Sequence, residues 1–529
     1  MAAFQRNERV DGLTLETWRP LPRTGETRYG GVPWQLDPSA PLRLRLSSST
    51  ASMGSKGQKT GGDGMTEAVK RRVLMLVWNE VHWDARVQSA ARDLRDSEYD
   101  VLVIGVDRGR ASTTTSDAST RFDFALIEYS DMVKASSVVL RGLLRAREQL
   151  KLLVIAVAAL GALWILISAW NMGEGTYILV GGIILIIILL LLRLKVATRI
   201  GRFTHRTLWW AAARSGARRL LFVATQDFKP DVIHCHDLSW LPSAIAVGRK
   251  RKLPIVWDAH EIYEGTAAMT RLRRVLNRIR VSRLAPHVDG FITINPSIAE
   301  YYANRYPKLP KATVVGNSRR PSEPVEYDGR LHKEARLPES QRILLYHGIL
   351  GHGRWLDGLI GVSQELDPHW SLVVMGWGSK TGSVKAQISE VPHHLSGIPR
   401  AVFLEPVAWD SLISWCKGAS LGAILYEPTS LNYSMCSPNK LWEFAEAQVP
   451  ILGFDSAELR RVTEEFGLGW TLPFPTGPTQ VANFIAGLSD ADLRSARFGC
   501  SRFIESEGWD GHRRARNAVF SRVCQDNQV

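Results

Sequence analysis

Four stretches of this 529-residue sequence gather residue types suited to handling a charged substrate. Tyr346 to Arg354 reads Y-H-G-I-L-G-H-G-R and sets Gly348, Gly351 and Gly353 ahead of a cation; Met375 to Ser379, M-G-W-G-S, adds Gly376. Backbone N–H groups at a glycine-rich turn leading into a helix, together with a guanidinium, are the fixed donors that an anionic leaving group requires. Ser437 to Leu452, S-P-N-K-L-W-E-F-A-E-A-Q-V-P-I-L, puts Asn439 and Lys440 at a helix start, with Glu443 one turn on. An ionised carboxylate there can accept from two hydroxyls at once. In the first half, P-D-V-I-H-C-H-D-L (Pro230 to Leu238) and W-D-A-H-E-I-Y (Trp257 to Tyr263) supply His236, Asp237, Asp258, His260 and Glu261. A histidine beside carboxylates can polarise a hydroxyl or carry positive charge. The sequence offers no convincing carboxylate pair for double displacement and no clustered Asp/His set of metal ligands.

These motifs fall at the ends of short apolar, β-branched runs alternating with helical patterns, the signature of parallel α/β sheets. The first series comprises Val73 to Trp78, a helix from Ala85 to Arg95, Val101 to Val106, Ala125 to Tyr129, Val232 to His236, Ile255 to His260, Phe291 to Asn295 and Thr313 to Asn317. The second comprises Ile343 to Gly348, Leu372 to Gly376, Val402 to Leu404, Gly422 to Tyr426 and Ile451 to Phe454. The expected organisation is a disordered tail at 1–65, a Rossmann-like domain at 66–317, a proline-containing linker at 318–341, a second Rossmann-like domain at 342–507, and a terminal segment at 508–529. Two doubly wound sheets joined this way place a ligand cleft between the carboxyl ends of their strands.

Composition adds a membrane component. The first domain is interrupted at 152–193 by two uncharged runs, Leu152 to Trp170 and Tyr177 to Leu192, separated by six residues of which only Glu174 is charged. As helices they reach roughly 28 Å and 24 Å, close to the ~30 Å of bilayer hydrocarbon, so a transmembrane helical hairpin is expected, with a re-entrant hairpin as the alternative. Arg141, Arg145, Arg147 and Lys151 precede it and Arg193, Lys195, Arg199, Arg202 and Arg206 follow it, which puts both flanks, and hence the α/β domains, on the cytoplasmic side. Trp209 and Trp210 among arginines suggest a segment against anionic headgroups. The net charge of +14 is therefore read as membrane-directed, since no nucleic-acid recognition motif accompanies it. Five scattered cysteines read as free thiols. The first 65 residues lack a signal-peptide run, and Met65 is an alternative translation start.

Taken in order, the motifs resemble the retaining glycosyltransferase family 4, which has the GT-B fold of two Rossmann-like domains facing a cleft; the resemblance covers most of Val73 to Arg522. It implies a nucleotide sugar, UDP- or GDP-linked, held by the second domain, an acceptor held by the first, a last helix crossing back, and no metal or other cofactor. By the same resemblance Arg354 contacts the diphosphate with Lys440 as a second cation, Gly348, Gly353, Gly376 and Asn439 serve donor binding, Glu443 accepts from ribose hydroxyls, and His260 hydrogen-bonds the donor sugar near the reacting carbon. His236 and Asp237 read either as acceptor contacts or as a strand end satisfied by backbone. Arg86, in the D-A-R-V stretch Asp84 to Val87, faces an acidic acceptor or the donor phosphate, or forms a helix-start salt bridge. The family's E-x7-E motif is incomplete: Met435 stands where the first glutamate belongs, leaving Pro438, Asn439 or an out-of-register Glu427 for the sugar contacts. The expected function is transfer of a sugar to a lipid-linked or glycolipid acceptor. A sugar-nucleotide epimerase of the same fold and an inactive membrane scaffold are the alternatives.

Overall fold

The computed structural model describes residues 70–107 apart from 80, 82 and 83, the strands Arg45–Ser47 and Asp123–Glu128, position 149, and residues 211–526 apart from 268 and 322–325. The hairpin expected at 152–193 and Trp209 and Trp210 lie outside the described residues. Among the described residues no helix is long and apolar enough to cross a membrane.

The first sheet contains β1 (Arg45–Ser47), β2 (Arg72–Leu76), β3 (Asp100–Asp107), β4 (Asp123–Glu128), β5 (Val232–His236), β6 (Ile255–Ala259), β7 (Gly290–Thr293) and β8 (Thr313–Val314). Their spatial order is β1-β4-β3-β2-β5-β6-β7-β8, and every pairing is parallel except that of β1 with β4. β1 falls inside the segment expected to be a disordered tail. An uncovered sheet edge offers a row of unpaired backbone groups, and three extended residues suffice to occupy it.

The second sheet contains β9 (Arg342–Ile349), β10 (Trp370–Trp377), β11 (Ala401–Leu404), β12 (Leu421–Ile424), β13 (Ile451–Phe454) and β14 (Gly469–Leu472), in the order β11-β10-β9-β12-β13-β14. All are parallel. Strand order reverses between β2 and β5 in one sheet and between β9 and β12 in the other. Each reversal splays the flanking connections apart and opens a crevice at the carboxyl ends.

The apolar runs become these strands because helices cover both faces: β5, β6 and β7 are buried at every position. The expected linker is not wholly irregular. Arg330–Ala335 forms a helix whose Leu331 and Ala335 enter the core of the second domain, so that domain gathers elements upstream of 342. The last helix, Trp509–Asp526, returns to the first sheet and buries Val519, Phe520 and Val523 against Val73, Val256 and Ile292. A Cβ on Gly290 would come within 2.8 Å of Val519, so this close approach needs glycine. The buried Arg516–Asp93 ion pair and a hydrogen bond from Trp509 Nε1 to Asp93 (2.7 Å) fix the crossing helix. All five cysteines are free, and all but Cys436 are buried.

Candidate functional site

A cleft of about 770 Å³ lies where the carboxyl ends of the two sheets face each other. From the first domain it is lined by Arg86, His260, Glu261 and Asn317, and from the second by Gly348, Arg354, Asn439, Lys440 and Glu443. The two strand-order reversals thus bring residues as far apart in sequence as Arg86 and Glu443 to one cleft. Gly353 opens instead onto an adjoining cleft of about 480 Å³ with Trp355, Lys380 and Glu427. Gly376 lines neither. A Cβ on it would sit 2.0 Å from the Gly348 carbonyl oxygen, so this glycine permits β9 and β10 to approach.

On the second-domain wall, β9 ends through Gly348, whose φ of +103° is in the range that favours glycine. Arg354 then stacks its guanidinium 3.7 Å from the Tyr426 ring centroid and leaves its buried Nη1 without a hydrogen-bond partner. The helix Asn439–Glu446 begins opposite, with no side chain capping its N-terminus and with Pro438 and Asn439 on the cleft surface. Lys440 is buried, its Nζ 3.4 Å from the Tyr346 ring centroid and likewise unpartnered. Burial and the Arg354 charge push its ammonium well below the usual lysine range, against the pull of Glu443. One turn on, burial lifts the Glu443 carboxyl to about 7 although Arg319 and Lys440 oppose it. Two buried cations without partners beside an under-compensated carboxylate form an arrangement completed by an anion carrying hydroxyl groups.

The opposite wall is a buried charge network. His260 leaves β6 with 19% of its side chain exposed. Burial alone would lower its pKa, but Asp237 and Asp258 more than reverse that and lift it to about 9. His236, whose pKa burial and His234 push well below normal, is neutral, so its Nδ1 accepts from His260 Nε2 at 3.0 Å. His260 Nδ1 lies 3.5 Å from Asp237 Oδ1. Both ring nitrogens therefore face protein groups, and His260 offers the cleft its positive charge. That differs from the expected hydrogen bond to a donor sugar. Asp237 adopts φ +62° and is held there by donation from Tyr263 OH to its carboxylate (2.8 Å) and from Trp257 Nε1 to its carbonyl (3.2 Å).

His236 is fully buried beneath the cleft and, with Asp237, supports His260; both are held by side chains, those of His260, Tyr263 and Trp257, rather than by the backbone partners of the strand-end reading, and neither lines the cleft. Arg86 is also directed inward. It grips Asp258 through Nε (3.1 Å) and Nη2 (2.7 Å), and its Nη1 donates to Val315 O and Asn317 Oδ1. The salt bridge left open by the sequence is thus made, but to Asp258 on β6, which β5 separates from β2. His234, His236 and Asp258 place potential ligand atoms within 4.8 Å of one another, a spacing that admits a cation. Asp258 is already engaged by Arg86, however, and a divalent charge would lie against that guanidinium.

The sequence did not single out the residues that hold the two walls at a set distance. Asn432 accepts from Ile262 N (3.1 Å) and donates to Glu261 Oε2 (3.0 Å). Burial and Asp237 lift the Glu261 carboxyl to about 7. Asn295 donates to Met435 O (2.7 Å) and Asn317 to Ser437 O (3.1 Å). Met435, in the place of the missing glutamate, thus contributes a backbone acceptor to the interdomain contact, while Glu427 faces the adjoining cleft. The aromatic platform also went unnoticed: Trp377, 53% exposed, pairs in register with Ile349, 56% exposed, on the cleft floor. An exposed Trp after a strand-end glycine was the available signal.

Residues 191–318 match the model of a glycosyl transferase 4-like domain. No curated protein matches the chain in sequence. Similar solved structures include Anabaena HepE in complex with UDP and glucose (TM-score 0.55, 10% identity, covering 85% of this chain and 99% of that one). Sucrose-phosphate synthase from Thermosynechococcus elongatus (0.55, 12%, 86% and 99%) and a glycosyltransferase from Rickettsia africae (0.54, 9%, 86% and 99%) are comparable. At these identities the likeness establishes the two-domain GT-B architecture.

Proposed function

We propose that the protein is a retaining glycosyltransferase that moves a sugar from a nucleoside-diphosphate donor, UDP- or GDP-linked, to a hydroxyl of a membrane-presented acceptor. The observation that carries this is the pair of unpartnered buried cations, Arg354 Nη1 and Lys440 Nζ, across the cleft from protonated His260. A diphosphate seated between them satisfies both donors at once. Glu443, in reach of the same space, accepts from the ribose hydroxyls, and Ile349 with Trp377 offers an apolar platform for the base.

In the reaction the acceptor oxygen bonds to the anomeric carbon on the face the diphosphate leaves. The carbon–oxygen bond to the phosphate breaks, and the acceptor proton passes to the departing phosphate oxygen. Arg354, Lys440 and His260 supply the positive charge that stabilises that oxygen, so no dedicated base and no metal is invoked. The matched domain at 191–318 and the uridine-nucleotide complex of a structural neighbour support this reading. The apolar hairpin read at 152–193 supports membrane presentation of the acceptor.

Membranes carrying the protein, incubated with labelled UDP- and GDP-sugars, are expected to gain label in the lipid fraction, and Arg354→Ala and Glu443→Ala are expected to abolish it. Met435 in place of a motif glutamate favours a second reading, an inactive scaffold. Nucleoside-diphosphate binding without turnover in native membranes would select it.

A further inference from the structure

The helix Arg271–Leu284 presents an uncovered apolar stripe. Leu272, Val275, Leu276 and Ile279, spaced i, i+3, i+4 and i+7, share one face and are 69%, 48%, 54% and 41% exposed. Its opposite face anchors it: Val281 is buried, Asn277 donates to Tyr263 O (2.7 Å), and Arg280 donates to Leu238 O (3.1 Å). The exposure thus belongs to a helix docked on the domain by its other side. Arg271 and Arg278 flank one edge of the stripe and Arg273 the other, and the helix carries no acidic residue.

We infer that this helix is a docking surface for an anionic lipid bilayer, lying in the interface with its aliphatic stripe among the acyl chains and its arginines at the headgroups. Charge complementarity selects this occupant: apposing the stripes of two copies would bring the arginines that flank them against one another, whereas anionic headgroups neutralise them. The helix begins four residues after Ala267, which lines both clefts. Docking therefore sets the cleft mouth close to the bilayer, where a lipid-borne acceptor would enter. The docking inference stands on the helix alone; only its use for acceptor capture rests on the transferase reading.

The full-length protein is mixed with vesicles of phosphatidylcholine alone, or of phosphatidylcholine and phosphatidylglycerol in equal parts, and amide hydrogen exchange is followed across 271–284. This readout is local, whatever else holds the chain on the vesicle. Exchange is expected to slow only on the anionic vesicles and to recover as salt rises. Leu272→Ser/Leu276→Ser/Ile279→Ser should remove the protection, and Arg271→Gln/Arg273→Gln should weaken it roughly 25-fold in vesicle concentration, at about fivefold per basic side chain near an anionic surface. UDP affinity, measured without vesicles, should be unchanged in both variants; this reports an intact fold and tests the nucleotide site separately. Equal exchange on both vesicle types, protection that survives the triple variant, or protection that grows with protein concentration in the absence of lipid would each overturn the inference, the last by identifying a second copy as the occupant.

Discussion

Lys440→Met removes a charge while nearly preserving the volume of the side chain, and its two consequences should have opposite signs. In the empty cleft the ammonium is buried without a hydrogen-bond partner, near Arg354 and over the Tyr346 ring. Burying an ion costs several kcal/mol, of which a desolvated cation–π contact returns about 2 kcal/mol. Methionine keeps the apolar stem contacts, so relief of roughly 1–3 kcal/mol is expected from the same balance. At about 2–4 °C per kcal/mol for domains of this size, the melting temperature of the free protein should rise by a few degrees. With a nucleoside diphosphate bound, the wild-type ammonium makes a charge-assisted hydrogen bond worth about 1.5–3 kcal/mol, which the variant lacks. UDP or GDP, whichever the wild type binds, should therefore bind roughly 10- to 150-fold more weakly to the variant. Thermal melts with and without the nucleotide read both effects, because a ligand at 100 times its dissociation constant adds about 2.7 kcal/mol. A free variant that melts lower than wild type, with an undiminished increment from the nucleotide, would make Lys440 a structural tether and refute the reasoning.

Glu443, lifted to about 7, has a folded-state pKa above its unfolded value, so its contribution to stability is fully present below about 4.5 and is lost as pH rises through about 7. Glu443→Gln should flatten that part of the stability–pH curve in urea titrations and weaken nucleotide binding at least about tenfold, since a charged acceptor is replaced by a neutral amide. His260, lifted to about 9, contributes stability present below about 6.5 and lost as pH rises through about 9. Asp237→Asn should lower its NMR-measured pKa by about one unit or more and move the alkaline limb of activity down with it. Gly376→Ala drives a methyl into the Gly348 carbonyl and should cost about 1–3 kcal/mol in denaturant melts, with loss of nucleotide binding as the turn after β9 shifts. Asn432→Ala removes a residue bonded to both Ile262 and Glu261, and should widen the cleft in solution scattering with little change in the stability of either domain.

By itself the sequence determined what is set over short range. Continuous β-branched runs located the buried parallel strands to within a few residues, because a strand covered on both faces needs no polar alternation. The glycine turn ending in Arg354 and the helix start at Asn439 were legible for the same reason, their geometry being contained in a few consecutive residues. β14 was missed because four residues reading G-W-T-L are too short for a period, and β1 because a strand forms there only where an edge awaits it. The tertiary structure alone decided which side chains meet. Arg86 pairs with Asp258 across 172 positions because β2 and β6 flank β5 in one sheet, and no local pattern encodes that adjacency. Sheet order likewise buried His236, turned both nitrogens of His260 toward protein groups, and left Arg354 and Lys440 facing the cleft without partners. Contacts of this kind depend on chain crossings hundreds of residues apart, whereas the patterns that specify strands and helices are complete within ten.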